Sequence, residues 1–256
     1  MTTPTTPPSA SPAAAQTAYV RTFNRYELKY LLDDARASAL IADLGTHCVP
    51  DPHSGERGYT IHSIYWDSPD LRFFWEKLDG EKYRRKLRFR RYEDGTDNVF
   101  VEIKQRIDRT VQKRRTLWSL ERTLALFDQG EIDTALEYDV RDAVVQEALF
   151  LCRFHRLAPK MAIRYRRRAL FARFEPDLRI TFDTRLQYEA RELDLVRPFE
   201  TGKYLLEPRL CVLEIKYNHR VPTWLIALVQ KHGLEVVRFS KYCAAIDREY
   251  FGGQHI

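Results

Sequence analysis

From Arg25 onward much of the chain is written in period two. RYELKYLL, KLRFRRY, VFVEIKQR, RITFDTRL and CVLEIKYN each alternate apolar with charged residues, and in an extended strand residues two apart project to the same face. Glu27 and Lys29 therefore oppose Leu28, Glu102 and Lys104 oppose Val101 and Ile103, and Glu214 and Lys216 oppose Leu213 and Ile215. Lys86, Arg88 and Arg90 share a face opposite Leu87 and Phe89, while Arg179, Asp183 and Arg185 oppose Ile180, Phe182 and Leu186. Each of these five strands has one charged face, and three of them carry a Glu-x-Lys pair.

Spacing and punctuation place the other elements. The first strand, Arg25 to Leu32, runs into a helix capped by Asp33 or Asp34, with Leu40, Ile41 and Leu44 on one face and Gly45 as its stop. A loop covers Pro50 to Gly58, and YTIHSIYWDS is a β-branched and aromatic strand ended by Ser68-Pro69. Tyr83 to Tyr92 and Asn98 to Arg106 form a hairpin across EDGTD, where Asp94-Gly95 supplies turn chemistry. Over about 117–158 helical spacing takes over, first through Leu120, Leu124 and Phe127 and then through Val140, Val144, Val145, Leu149 and Cys152, until Pro159. Strands resume at Met161 to Phe174, Leu178 to Tyr188 and Leu210 to Asn218, and Pro222 opens a short helix closed by Gly233. Seven or eight mostly antiparallel strands predict a closed or nearly closed barrel with helices outside. Residues 1–18, with four prolines and no charged side chain, read as a flexible tail. That leaves 19–256 as a single domain.

Composition narrows the class. The chain has 256 residues and 44% hydrophobic content, normal for a globular core. No run approaches the roughly 20 apolar residues of a membrane helix, and no basic stretch followed by an apolar one marks a leader, so a soluble cytoplasmic protein is expected. Cys48, Cys152, Cys211 and Cys243 form no CxxC pair and the seven histidines no HxH or HExxH, which speaks against zinc sites and a disulfide framework. Ser63 and Ser68 lie near Asp67 without a nucleophile-elbow sequence. The net charge of +6 is concentrated at 82–115 and 164–173, which points to an anionic partner. The arginine-rich stretch 106–115 reads as a solvated strand or as a funnel at a tunnel mouth, and its place directly after VEIKQR favours the funnel.

The direction of the charged faces is open. In antiparallel sheets polar faces commonly meet water, but helices covering the apolar faces would leave the charged ones pointing into the lumen. Lys29, Arg88, Arg90, Lys104, Arg179 and Lys216 would then crowd one cavity, at a cost that an anion or paired carboxylates must offset. Arginine forks and compact lysine charges suit phosphate oxygens, so such a lumen should hold a polyphosphate. Glu27, Glu102 and Glu214 would supply hard oxygen ligands for Mg²⁺ or Mn²⁺. A nucleic-acid surface needs Phe89, Tyr83, Tyr165 and Phe182 as exposed stacking platforms, and their alternation with Arg and Lys suits core packing better.

The ordered set RYELKY, KLRFRRY, VEIKQR, IRYRRRAL, RITFDT, LEIKYN and RFSKY resembles the VTC domain of polyphosphate polymerases, within the triphosphate tunnel metalloenzyme (CYTH-like) superfamily. The likeness runs from Arg25 to about Tyr250. It implies an α+β fold, an eight-stranded mainly antiparallel β-barrel tunnel with helices packed on the outside. Its substrates would be ATP and polyphosphate, its cofactor a divalent metal, Mn²⁺ or Mg²⁺, with no nucleic-acid partner and no membrane span. The resemblance implies catalytic roles for Lys29, Arg88, Arg90, Lys104, Arg167, Arg179 and Lys241, and substrate contacts by Arg166, Lys216 and Ser240. It places the metal on Glu214, with Glu27 and Glu102 as further oxygen donors or charge balance. In RYRRR, parity sets Arg164, Arg166 and Arg168 against Tyr165 and Arg167 without choosing between the faces; the motif selects Arg167. The expected activity is transfer of the terminal phosphoryl group of ATP to a growing polyphosphate chain. A triphosphatase with water as acceptor, or a non-catalytic polyphosphate-binding module, would use the same tunnel.

Overall fold

The computed structural model describes residues 20–22, 26–52, 58–93, 96–108, 110–127 and 141–255. The tail read over 1–18 and the Asp94-Gly95 turn lie outside them. Within the described residues a single antiparallel sheet contains eight long strands: β2 (Tyr26–Asp33), β4 (Tyr59–Asp67), β5 (Tyr83–Tyr92), β6 (Asn98–Ile107), β7 (Thr110–Ser119), β8 (Ala158–Ala172), β9 (Arg179–Glu189) and β11 (Leu210–Tyr217). Three short strands, β1 (Val20–Thr22), β3 (Cys48–Pro50) and β10 (Lys203–Tyr204), pair with β7, β8 and β9 respectively. The long strands run in the order β7-β6-β5-β4-β8-β9-β11-β2. The predicted hairpin is in register, with Leu87 opposite Ile103 and Arg88 opposite Glu102.

Among the described residues no hydrogen bonds between strands close this sheet into a ring. It nevertheless curls, because Lys104 on β6 reaches Glu27 on β2 at 3.5 Å although five strands lie between them in the sheet order. The free edge of β2 is met by coil instead of a strand. There the Val237 N–H donates to the Lys29 carbonyl at 2.8 Å and Lys29 Nζ donates to the Phe239 carbonyl at 3.0 Å.

Six helices are described: α1 (Asp34–Leu44), α2 (Arg72–Leu78), α3 (Leu120–Phe127), α4 (Ala143–His155), α5 (Thr223–Lys231) and α6 (Lys241–Phe251). The predicted cap of α1 is present, with Asp33 accepting from the Arg36 N–H at 2.8 Å. Asp142 likewise caps α4 by accepting from Val144 and Val145. The helical insert begins at Leu120 instead of 117, because Leu117, Trp118 and Ser119 finish β7. In the arginine-rich stretch, Arg106 pairs with Val111 and Ile107 with Thr110, so the end of β6 and the start of β7 form a strand hairpin. The sequence predicts neither α2 nor α6: α2 has seven residues, and α6 opens on Lys241 to Asp247, all buried, a run that shows no helical period. None of the described helices is long and apolar enough to cross a membrane.

Three apolar clusters decide which way the sheet faces. Two lie on its outside: Leu87, Phe89, Val101 and Ile103 under α3 and α4, and Leu28, Ile180, Phe182, Leu213 and Ile215 under α1 and α5. The third is inside one end of the curl, where Tyr65, Ile163, Tyr165 and Val212 pack on Tyr242, Cys243 and Ile246 of α6. Phe89, Tyr165 and Phe182 are buried in these clusters, so they make no stacking platform. A bulge breaks the predicted alternation of β9. Arg164 pairs with Gln187 and Arg166 with Thr184, so Tyr165 alone spans Arg185 and Leu186. Arg185, at φ 51°, therefore leaves the face of Asp183 and is exposed, while Leu186 and Tyr188 turn inward into the third cluster.

His62 is fully buried on the outward face of β4, with Nε2 3.1 Å from the Asp194 carbonyl oxygen and its ring against Phe199. Burial pushes its pKa down to about 4, against the opposing effect of that hydrogen bond. Since the folded value lies below the ordinary 6.5, the stability gained from a neutral ring is complete above that pH and is lost as pH falls toward 4. The expected loss is about 2 to 3 kcal/mol. It should appear as a drop in urea midpoint between about pH 7 and 4.5 that is smaller in His62→Phe; equal drops in both proteins would refute it.

Candidate functional site

The inward faces of these strands gather ions around four carboxylates. Glu214 on β11 is the hub. Its Oε1 lies 2.9 Å from Lys241 Nζ and 3.3 Å from Lys29 Nζ, and its Oε2 lies 2.5 Å from Lys216 Nζ and 3.3 Å from Arg167 Nη2. Asp183, one strand away, holds Arg167 in a two-pronged pair at 2.6 Å on each prong and Lys241 at 2.6 Å. On the other wall Glu102 accepts from Arg88 Nε at 2.6 Å, contacts Lys113 Nζ, and lies 3.6 Å from Arg90 Nε. Glu27 bridges the opening between β2 and β6, 3.3 Å from Lys29 and 3.5 Å from Lys104. Tyr165 connects the two walls: its hydroxyl is 3.4 Å from Arg90 Nη2, and Lys241 Nζ sits 4.9 Å above its ring.

Eight cationic side chains thus face four carboxylates. The strand alternation that buries apolar residues under the helices forces this crowd inward, where lost hydration makes unpaired charge costly. Burial alone would raise the Glu214 carboxyl, but Lys216, Lys241, Lys29 and Arg167 hold it well below the usual range. Glu102 is held down likewise by Arg88, Arg90 and Lys113. Burial also lowers Lys216, to about 8, with Arg167 assisting and Glu214 opposing. Lys241 moves the other way: burial opposes its charge, yet Asp183 and Glu214 raise it.

Of the residues predicted from sequence, Lys29, Arg88, Arg90, Lys104, Arg167, Lys216, Lys241, Glu27, Glu102 and Glu214 meet in this network. Arg167 is 6% exposed and faces inward, which resolves the parity question in RYRRR. Arg166 faces the other way and is exposed, so the structure does not bring it to the cluster. Arg179 is on the inward face of β9 but keeps a separate pair, 2.7 Å to Asp51 and 3.1 Å to the Tyr59 hydroxyl. Ser240 caps α6 through the Cys243 N–H and accepts from Lys86 Nζ at 2.8 Å. The sequence puts Asp183 on the right face without giving it a role, and it singles out no role for Lys113, which falls in the stretch read as a solvated strand or a funnel. The period-two position of Asp183 beside Arg179 was the available signal.

The carboxylates divide in their fitness for a divalent ion. Among the described residues no three His, Cys, Asp or Glu side chains form a ready-made metal cluster. Glu27 and Glu214 lie close enough to disfavour each other's charge and share Lys29 between them. Two carboxylates with phosphate oxygens are a sufficient donor set for Mg²⁺ or Mn²⁺. Glu102 does not belong to that pair, since Arg88, Arg90 and Lys113 hold it on the opposite wall.

The VTC domain family model matches residues 24–250. No curated protein matches the chain significantly. Among solved structures, the Hippeastrum protein HpAC1, named for adenylyl cyclase and described as having a dominant triphosphatase activity, superposes with a TM-score of 0.52 at 14% identity, over 90% of this chain and 99% of that one. A Bacillus halodurans protein named for adenylate cyclase gives 0.47 at 16% identity, over 89% and 100%. PH1819 from Pyrococcus horikoshii gives 0.46 at 14%, over 88% and 99%.

Proposed function

The chain belongs to the VTC domain family, and from that premise we propose that it is a polyphosphate polymerase, transferring the γ-phosphoryl group of ATP to the end of a phosphate chain inside the basic tunnel. The observation that carries this reading is the surplus of cations over carboxylates on the inward face of one curled sheet. A terminal oxygen of the chain attacks the γ-phosphorus, forming a new phosphoanhydride bond as the bond to ADP breaks. The transition state is loose, so the protein mainly positions the reactants and neutralises charge. Arg88 and Arg90 present guanidinium forks to phosphate oxygens from one wall, and Lys29, Lys104, Lys216 and Lys241 present ammonium groups from the others. Arg167 is so fully engaged by Asp183 and Glu214 that it orders those carboxylates and contributes its charge from behind them. Arg179 extends the basic face toward Tyr59. A divalent ion would be held by Glu214 and Glu27, where it would neutralise charge on bridging phosphate oxygens.

A triphosphatase is the second reading, favoured by the structural likeness to a protein described as having that activity. Hydrolysis calls for a general base poised near the working pH. Glu27, Glu102, Asp183 and Glu214 all have lowered pKa values and are weak bases, but burial lowers Lys113 to about 7 and Lys216 to about 8, which suits either to that role. A phosphate acceptor already carries its charge and needs no such base, so the two readings part at the acceptor and at the demand for a base. Incubation with γ-labelled ATP, Mn²⁺ and a short polyphosphate primer should give labelled, acid-stable long chains. Labelled free phosphate without chains would instead establish the hydrolase.

A further inference from the structure

On the outer wall, β8 and β9 carry a second basic surface that the tunnel does not use. Arg164, Arg166 and Arg185, with Gln187, Glu200 and Tyr204, line a hollow of about 320 Å³. We propose that this hollow is an accessory site for a short inorganic phosphate chain, separate from the tunnel and bound through its phosphate oxyanions. Arg166 and Arg167 are consecutive on β8 and serve opposite faces, so the sheet itself divides the two sites.

Three observations support the assignment. The first is the bulge, which turns Arg185 out of the tunnel and toward Arg164 and Arg166. Packing explains the bulge, since Leu186 and Tyr188 must face α6, but packing does not ask for arginine at its turning point. A residue at φ 51° is most easily glycine or asparagine, and arginine there accepts backbone strain in exchange for a cationic fork. Among the described residues Arg185 has no ion pair or hydrogen bond of its own. The second is the fixing of Arg164, whose Nε and Nη2 are held by Glu93 at 2.6 and 2.7 Å, so its remaining edge is oriented before any ligand arrives. The third is the balance of the lining, in which Arg166 and Arg185 meet one carboxylate, Glu200, beside the Arg164–Glu93 pair. Planar forks converging on one hollow suit phosphate oxygens, and the Gln187 amide adds a neutral donor.

Isothermal titration with sodium tripolyphosphate tests this, using the wild type, Arg185→Gly and Arg88→Ala. Glycine suits the left-handed backbone, so Arg185→Gly should fold at least as well as the wild type. The wild type should bind two chains, and Arg185→Gly should keep the tunnel site while weakening the other about tenfold or more. Arg88→Ala should weaken the tunnel site alone; if it weakens neither, the tunnel reading fails while the loss in Arg185→Gly still establishes the outer site. A parallel titration with ATP separates the sources of phosphate, and preference of the outer site for tripolyphosphate supports the proposal. An Arg185→Gly titration indistinguishable from wild type, or an outer site that takes ATP alone, overturns it.

Discussion

Replacing Arg88 with alanine is expected to lower kcat/KM for polyphosphate synthesis by roughly 10²- to 10³-fold, the loss typical of removing one preorganised donor to developing charge. Arg88 combines two properties that the other paired arginines of the cluster, Arg90 and Arg167, do not. Its guanidinium is fixed, with Nε on Glu102 at 2.6 Å and Nη1 on the Tyr65 hydroxyl at 2.9 Å, yet 24% of its side chain stays open to the lumen. Burial opposes its charge, but Glu102 and the tyrosines keep it firmly protonated. The fold should survive the change, because Arg90 and Lys113 still accompany Glu102. Arg88→Lys should recover only part of the loss, since an ammonium keeps the charge and lacks the planar fork. Steady-state kinetics with ATP and primer would decide the matter. A loss under about tenfold in Arg88→Ala would mean that Arg88 only balances Glu102 and does not touch substrate.

Arg88 also shows how much was legible in the sequence. Period two placed Lys86, Arg88 and Arg90 on one face and Leu87 and Phe89 on the other, and the structure keeps that division. The same holds for each Glu-x-Lys pair, because parity is a local property of the backbone. Which face points inward is not local. It depends on α3 and α4 covering Val101 and Ile103 and on α1 and α5 covering Leu213 and Ile215, and only tertiary packing shows this. Parity failed where the backbone broke it, at Arg185, since nothing in RITFDTRL announces a bulge. It was also silent on how the free edge of β2 is met, since the Val237 N–H bonds the Lys29 carbonyl through backbone alone and Lys29 Nζ reaches the backbone carbonyl of Phe239, neither of which needs a side-chain pattern in the coil. The helix α6 was hidden for a related reason: its first seven residues, Lys241 to Asp247, are all buried, so they show no polar stripe.

Neutralising Glu214 as Glu214→Gln should give the largest loss of stability in the protein, about 3 to 5 kcal/mol, the range for removing one partner of a buried ion pair. The carboxylate is 4% exposed and accompanies Lys29, Lys216, Lys241 and Arg167 at once. Only Asp183 and Glu27 would remain as counterions on that wall. The Glu214 pKa is depressed on folding, so its contribution is complete above about 4.5 and is lost only as pH falls through the lower folded value. For a chain of this size the loss corresponds to roughly 10 °C in melting temperature at neutral pH. Tripolyphosphate should reverse much of it, because an anion that binds the folded state adds stability by mass action, about 2.7 kcal/mol at a hundredfold excess over Kd, and here it also supplies the missing counter-charge. The stabilisation by tripolyphosphate should therefore be larger in Glu214→Gln than in wild type, while Mn²⁺ alone should restore nothing. Melting curves of both proteins with and without each ligand make the test. Equal shifts with tripolyphosphate would show that the lysines around Glu214 do not receive phosphate, and recovery with Mn²⁺ alone would show that the cluster lacks a cation instead of an anion.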